Sequence, residues 1–258
     1  MDGLMPTKID SALPALLLQS FHDAVVFDAS GARLPLASNV SLAEAETLYK
    51  AVRDSRPEVS VEIGFAQGIS ALAILQGLED NAIGTHHIID PFQSSYDDAG
   101  LAMVELAELS SRMVFHRSFA DEVIPQLPTL DFAFIDSSHL FDLTVSEFVM
   151  VDRKLRVAGL IAFHDMWMPS LQRFLRYVLA NRSYEIVRNF DGPEQVNKKP
   201  HKSTIRSFVS SVAGVVPYGE RIFQEDFIRP WERLRVPNLV ILRKTAEDQR
   251  EWTYHKPF

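Results

Sequence analysis

The sequence predicts an α/β protein, a mostly parallel β-sheet with helices on both faces, and three observations carry that expectation. Between residues 59 and 190, short apolar runs alternate with stretches whose apolar residues recur at helical spacing. The runs are five to seven residues long and largely uninterrupted, as expected of strands buried from both sides. The chain has 258 residues, 47% hydrophobic and 23% charged, which suits one large α/β domain or one with an appendage.

The elements follow in order. Residues 1–56 form an N-terminal extension that ends in a helix at about 42–54, opened by the capping box Ser41-x-x-Glu44. The core spans 57–190. Val59–Gly64 is a β-branched strand and Ile69–Leu78 a helix. His86–Asp90 is the second strand, and 97–112 a helix with Leu101, Val104 and Leu109 inward. Met113–Ser118, the short helix Ala120–Leu127 and the strand Leu130–Asp136 come next. A helix at 142–155 places Val145, Phe148, Val149 and Leu155 on one face, broken by Asp152. Gly159–His164 is the fifth strand, 170–181 a helix, and Tyr184–Phe190 the sixth strand. Residues 191–236, with Pro193, Pro200, Pro217 and Pro230, are too long for a turn and read as a lid or an interface. A last strand at Asn238–Lys244, within 237–245, is expected to run antiparallel and brings the sheet to seven strands.

Composition removes several chemistries. With no cysteine, disulfides, zinc–thiolate sites and cysteine nucleophiles are excluded. A net charge of −8 argues against a nucleic-acid-binding surface. No apolar run approaches the roughly 20 residues that span a bilayer, and the first twenty residues make a poor secretory signal. The expectation is a cytoplasmic protein acting on a small molecule, with a homo-oligomer left open.

Gly64 and Gly68 bracket the turn from first strand to first helix, where a ligand can approach backbone closely. The turn is neither G-x-G-x-x-G nor a phosphate-cradling loop, because Phe65-Ala66 follows Gly64 and no Gly-Lys-Ser/Thr is present. Asp90 ends the second strand, 22 residues after Gly68, where a carboxylate can accept hydrogen bonds from ribose hydroxyls. A nicotinamide-dependent oxidoreductase therefore stays open as an alternative. The fourth and fifth strands end in Asp136-Ser137-Ser138-His139 and His164-Asp165. In a parallel sheet these ends open into the same crevice as the Gly64 loop, and core packing is a poor reason to put charge there.

Glu62-x-Gly64-x-x-x-Gly68-x-Ser70 resembles the first motif of the Rossmann-like, S-adenosylmethionine (SAM)-dependent methyltransferases, in the form found among small-molecule O-methyltransferases. The strand ends D-x-x-F-I-D-x-x-H and G-x-I-x-x-H-D are similar to those of the cephalosporin- and macrolide-biosynthesis enzymes and, more distantly, the catechol type. The resemblance implies that Glu62, Gly64, Phe65, Gly68 and Ser70 wrap the methionine part of SAM, with Glu62 engaging its amino group directly or through water. It implies Asp90 on the ribose, Pro91, Ser118 and Phe119 around the adenine, and Asp136 near the methyl group. Ser118 alternatively serves only as a helix N-cap.

Relatives often bind a divalent metal, magnesium or a transition metal. Asp136 and Asp165 match its carboxylate ligands, with His164 as a third candidate where the family pattern has an acid. For a hydroxyl acceptor a base is needed, and His139, His164 and Asp136 are the candidate catalytic residues. A non-catalytic SAM-binding protein is the remaining alternative. The acceptor itself is not legible.

Overall fold

The computed structural model describes residues 12–188, 234–254 and 256–258. The chain divides into two units, 1–194 with 237–258 and 195–236. The first holds every element below. The second lies outside the described residues apart from its last three, and so do the expected lid and the end of the sixth strand.

In chain order the elements are α1 (Ala15–Asp23), β1 (Val25–Phe27), β2 (Arg33–Pro35), α2 (Leu42–Ser55), β3 (Val59–Ile63), α3 (Ile69–Asn81), β4 (Thr85–Ile89), α4 (Ala99–Leu106), β5 (Met113–His116), α5 (Ala120–Val123), β6 (Leu130–Ile135), α6 (Phe141–Lys154), β7 (Leu155–Phe163), α7 (Pro169–Asn181), β8 (Tyr184–Ile186) and β9 (Val240–Lys244). β1 and β2 form a small antiparallel pair. The other seven strands make one sheet in the order β5-β4-β3-β6-β7-β9-β8. β3 to β7 are mutually parallel, and β9 is antiparallel to both β7 and β8, as expected of the last strand.

β3 lies near the middle and is covered on both sides, so polar Ser60 and Glu62 are buried along with Val61 and Ile63. The sheet reverses direction of growth at β3, with β4 on one side and β6 on the other. A ligand crevice opens at such a point, outside the carboxyl ends of the strands.

Some expected boundaries shift for local reasons. The helix expected over 97–112 stops at Leu106 because Glu108 adopts a left-handed φ of 59°. Leu109 then donates its N–H to the Val104 carbonyl (3.1 Å), a Schellman-type close, and its side chain is buried. The helix expected over 120–127 tightens into a 3₁₀ turn at Ile124–Gln126, where Pro125 sits. β7 starts at Leu155, four residues before expected, because α6 runs straight into it through exposed Arg156–Ala158. α1 buries Leu17, and Leu13, just before the helix, is buried as well.

Asp152, the polar break in α6, sits in a buried charge network. It accepts hydrogen bonds from the Tyr184 hydroxyl (2.6 Å) and the Arg182 guanidinium. Lys244 of β9 donates to the Asp152 and Leu155 carbonyls (2.9 and 2.8 Å), capping the end of α6. No helix among the described residues is long and apolar enough to cross a membrane.

Candidate active site

The site grows from the loop after β3. Gly64 has a φ of 93°, and a Cβ there would lie 2.2 Å from the Asp136 carbonyl oxygen. Only glycine lets the ends of β3 and β6 come so close. The Asp136 N–H donates to the Ile63 carbonyl (3.0 Å), so the first acidic strand end is fixed against the loop by backbone. Gly68, at φ 80°, starts α3. The Phe65 ring turns inward, packing against Gly100 and lying 5.8 Å from the Phe115 ring centroid.

Glu62 is enclosed by other side chains. Its carboxylate has no exposed area, accepts a hydrogen bond from the Ser70 hydroxyl and pairs with the buried His86 Nε2 at 3.1 Å. The other His86 nitrogen lies 2.9 Å from the Ser60 hydroxyl. Burial pushes the Glu62 carboxyl up, while His86 and Ser70 pull the other way. Glu62 therefore reaches the crevice only through Ser70, and His86 is an interior partner, not a metal ligand.

Asp90 also does something other than wait for a ribose. One oxygen accepts the Phe65 and Ala66 N–H groups (3.1 Å each) and the Gln93 amide (3.3 Å), and the other accepts the Phe92 N–H (2.7 Å). The carboxylate fastens the loop and is 5% exposed. Pro91, Ser118 and Phe119 likewise lie outside the cleft described next. The Ser118 hydroxyl donates to the Glu122 carboxylate and caps no helix N–H. Phe119 stands edge-to-face with Phe92 at 5.9 Å, and both rings are exposed at the ends of β4 and β5.

A cleft of about 460 Å³ opens over the carboxyl ends of β3, β6 and β7. Gly64–Ala66, Ile69 and Ser70 line one part, and Asp136, Ser137, His139, His164 and Asp165 another. The expected convergence of loop and ionisable strand ends is thus present. Four contributors were not legible in the sequence: Ser38, Asn39 and Val40, from the link between β2 and α2, and Tyr96, from the link between β4 and α4.

His139 and Asp165 both adopt left-handed backbone, at φ 59° and 54°. The His139 Nε2 lies 3.0 Å from Asp136 and 3.2 Å from Asp165. Its hydrogen bond to Asp136 raises its pKa above the ordinary 6.5, against the opposing effect of burial. Burial raises Asp136, but His139 and His164 outweigh it and hold the carboxyl at about 2.

His164 is in a different state. Its Nδ1 lies 3.4 Å from Asp136, and its Nε2 lies 3.3 Å from Glu44 of α2. Burial disfavours its charge, yet hydrogen bonds to Asp136 and Glu44 raise its pKa to about 10. Glu44 is correspondingly held at about 2: burial works against ionisation, and the His164 and Ser41 hydrogen bonds overcome it. A raised pKa favours the protonated ring, which disfavours His164 as base or metal ligand at neutral pH relative to His139.

Among the described residues, the group whose ligand atoms come together, all within 4.8 Å, is Asp136, His139 and Asp165. Two carboxylates and one imidazole fit a divalent ion, and the nitrogen favours a transition metal over magnesium. Trp167, two residues after Asp165, donates its indole N–H to Asp165 (2.9 Å) and stays half exposed. Glu44 carried one signal in the sequence, its place in the capping box, but nothing there showed that it also reaches across to His164.

Comparison with known proteins agrees with this geometry. Residues 61–166 match a family described as a methyltransferase domain. No curated protein matches the chain. Among solved structures, it is similar to an O-methyltransferase of Bacillus cereus in complex with SAH, at 20% identity, TM-score 0.54, over 72% of this chain and 86% of the other. The O-methyltransferase TomG of Streptomyces achromogenes, in complex with SAM, aligns at 16% identity and TM-score 0.53 over 71% and 84%. An SAH-bound methyltransferase of Podospora anserina aligns at 15% identity and TM-score 0.56 over 72% and 94%. Residues 61–166 thus match a methyltransferase-domain family, and the sheet order with the crevice at its switch point gives the chain the Rossmann-like fold of these solved structures.

Proposed function

We propose that the chain moves a methyl group from SAM to a hydroxyl of a small molecule. One observation carries the reading: the Gly64–Ser70 loop and the Asp136–His139–Asp165 group line a single cleft, so a donor held by the loop faces acid–base chemistry. The O-methyltransferases of similar fold, bound to SAM or SAH, support it.

SAM supplies an electrophilic methyl on a sulfonium; the new O–C bond forms as the C–S bond breaks. In-line transfer needs the hydroxyl aligned at roughly 3 Å. The chain's own task is to hold that geometry and to remove the hydroxyl proton. His139 is the group for it. The carboxylates of Asp136 and Asp165 stabilise the imidazolium that forms when it takes the proton. A second reading has an observation of its own, the closeness of the three ligand atoms. A divalent ion on Asp136, His139 and Asp165 would act as a Lewis acid on the acceptor oxygen.

Titration calorimetry with SAM and SAH, and turnover of methyl-labelled SAM against a panel of hydroxylated small molecules, test the proposal. Binding of both, with transfer to oxygen, is expected. Binding of NAD in place of SAM and SAH would sink it. Loss of turnover on chelation, restored by a transition metal, would select the metal reading over the base. A cytoplasmic location belongs to the same proposal and is tested by cell fractionation.

A further inference from the structure

The cleft is not built by the methyltransferase domain alone. Residues 36–44 run from the end of β2 to the first turn of α2 and put Ser38, Asn39 and Val40 into its wall. All lie before the stretch that matches the family, residues 61–166.

This strap is pinned at both ends. At the near end stands Gln67, inside the Gly64–Gly68 loop and 7% exposed. Its Oε1 accepts the Ala37 N–H at 2.7 Å, and its Nε2 donates to the Pro35 carbonyl at 2.9 Å. A primary amide offers one acceptor and two donors at one tip, which matches a carbonyl and an N–H two residues apart; aspartate, glutamate and the hydroxyl residues match less well. Just beyond the pin, Ser38 takes a left-handed φ of 50°, Asn39 donates its side-chain amide to the Val40 carbonyl (2.8 Å) and Val40 is buried. At the far end Ser41 caps α2, and Glu44 accepts a hydrogen bond from Asn238 at 3.0 Å, just before β9. A turn with a non-glycine residue at positive φ persists when its surroundings fix it, and here the fixings are Gln67 on one side and the capped helix on the other.

We propose that Gln67 is a positioning residue: it ties the donor-binding loop to the strap that completes the cleft wall, so that loop and strap move as one body. The inference rests on the SAM reading for the identity of the ligand but not for the existence of the tie. Gln67 makes no contact with reacting atoms in this account. It acts by placing Ser38–Val40.

Hydrogen–deuterium exchange and SAH titration on the full chain test it, with wild type, Gln67→Ala and Gln67→Glu. In Gln67→Ala, exchange over 36–41 should rise at least tenfold while β3 and β6 stay protected. SAH affinity should fall roughly tenfold, as expected for two lost buried hydrogen bonds. The thermal midpoint reports whether the fold survives, and if Gln67→Ala does not fold, Gln67→Glu takes its place. Glutamate keeps the acceptor for Ala37 but opposes an oxygen to the Pro35 carbonyl, so it should loosen the strap as well. Unchanged exchange over 36–41 overturns the tie. Faster exchange with unchanged SAH affinity overturns the positioning role. If the wild type binds no SAH, the cofactor reading falls, and the tie is judged on exchange alone.

Discussion

His139 and His164 flank the same carboxylate, Asp136, and are held in different states by what stands behind them. Behind His164 is Glu44, at 3.3 Å, and against burial it and Asp136 together raise the ring's pKa to about 10. His139 has only Asp136 and Asp165 and is a quarter exposed. Replacing His139 by Gln should lower methyl transfer by about 10²–10⁴-fold, measured with labelled SAM, with SAH affinity unchanged. Since Asp136 raises the His139 pKa, the deprotonated, active form appears only as pH rises. The rate should therefore climb through an apparent pKa above 6.5; a rate that falls over pH 6.5 to 8 would remove His139 as the base. The sequence named all four strand-end residues, because charge at the end of an apolar strand is a local signal. It could not tell the two histidines apart, since the deciding partner lies 120 residues away. Asp90 was legible as the acid that ends its strand but not as the acceptor of four hydrogen bonds, which come from Phe65, Ala66, Phe92 and Gln93 in two loops whose paths the sequence does not specify. Gly64 was legible as a glycine but not in its cost. Gly64→Ala should destabilise by more than about 3 kcal/mol in urea unfolding, because the Cβ meets backbone, which cannot step aside.

At the scale of elements, α2 shows one side chain serving two ends. Glu44 closes the capping box by accepting the Ser41 N–H at 2.7 Å, and it also faces His164. Glu44→Gln keeps a good capping residue at that position and removes the ion pair, so it separates the two roles. The pair fixes a pH window. Its His164 contribution is full below the ordinary 6.5 and is lost as pH rises towards about 10. Its Glu44 contribution is full above the ordinary 4.5 and is lost as pH falls towards about 2. Thermal midpoints of the wild type should thus gain most from the pair between about pH 4.5 and 6.5, and the excess over Glu44→Gln should shrink on either side. An excess that is flat from pH 4 to 10 would show that the pair contributes nothing. Core elements were read well because β6 and β7 carry the apolar runs Phe132–Ile135 and Leu160–Phe163, and β3 and β4 are rich in β-branched residues, Val59, Val61, Ile63, Ile88 and Ile89. α1 and the β1–β2 pair were missed. Two three-residue strands have too few positions for a period to show, and α1 offered only a short apolar run.

For the whole molecule, the seven strands and their mostly parallel arrangement were legible in the sequence, but not where the last one goes. β9 does not extend the sheet; it inserts between β7 and β8, which are its two antiparallel neighbours. Strand order across a sheet depends on long-range pairing and leaves little trace in local pattern. Lys244, buried at the end of β9, then reaches the Asp152 carbonyl of α6 from the far side of the insertion point. A chain ending at residue 236 should lose cooperative unfolding and sediment with aggregates, because β7 is left with an open edge and β8 with no partner. A truncated protein that stays monomeric with a sharp melt would contradict this. The order of synthesis follows from the same geometry. Until residues 240–244 are made, the edge of β7 that β9 covers stays unpaired, and the growing chain must keep that edge from other polypeptides.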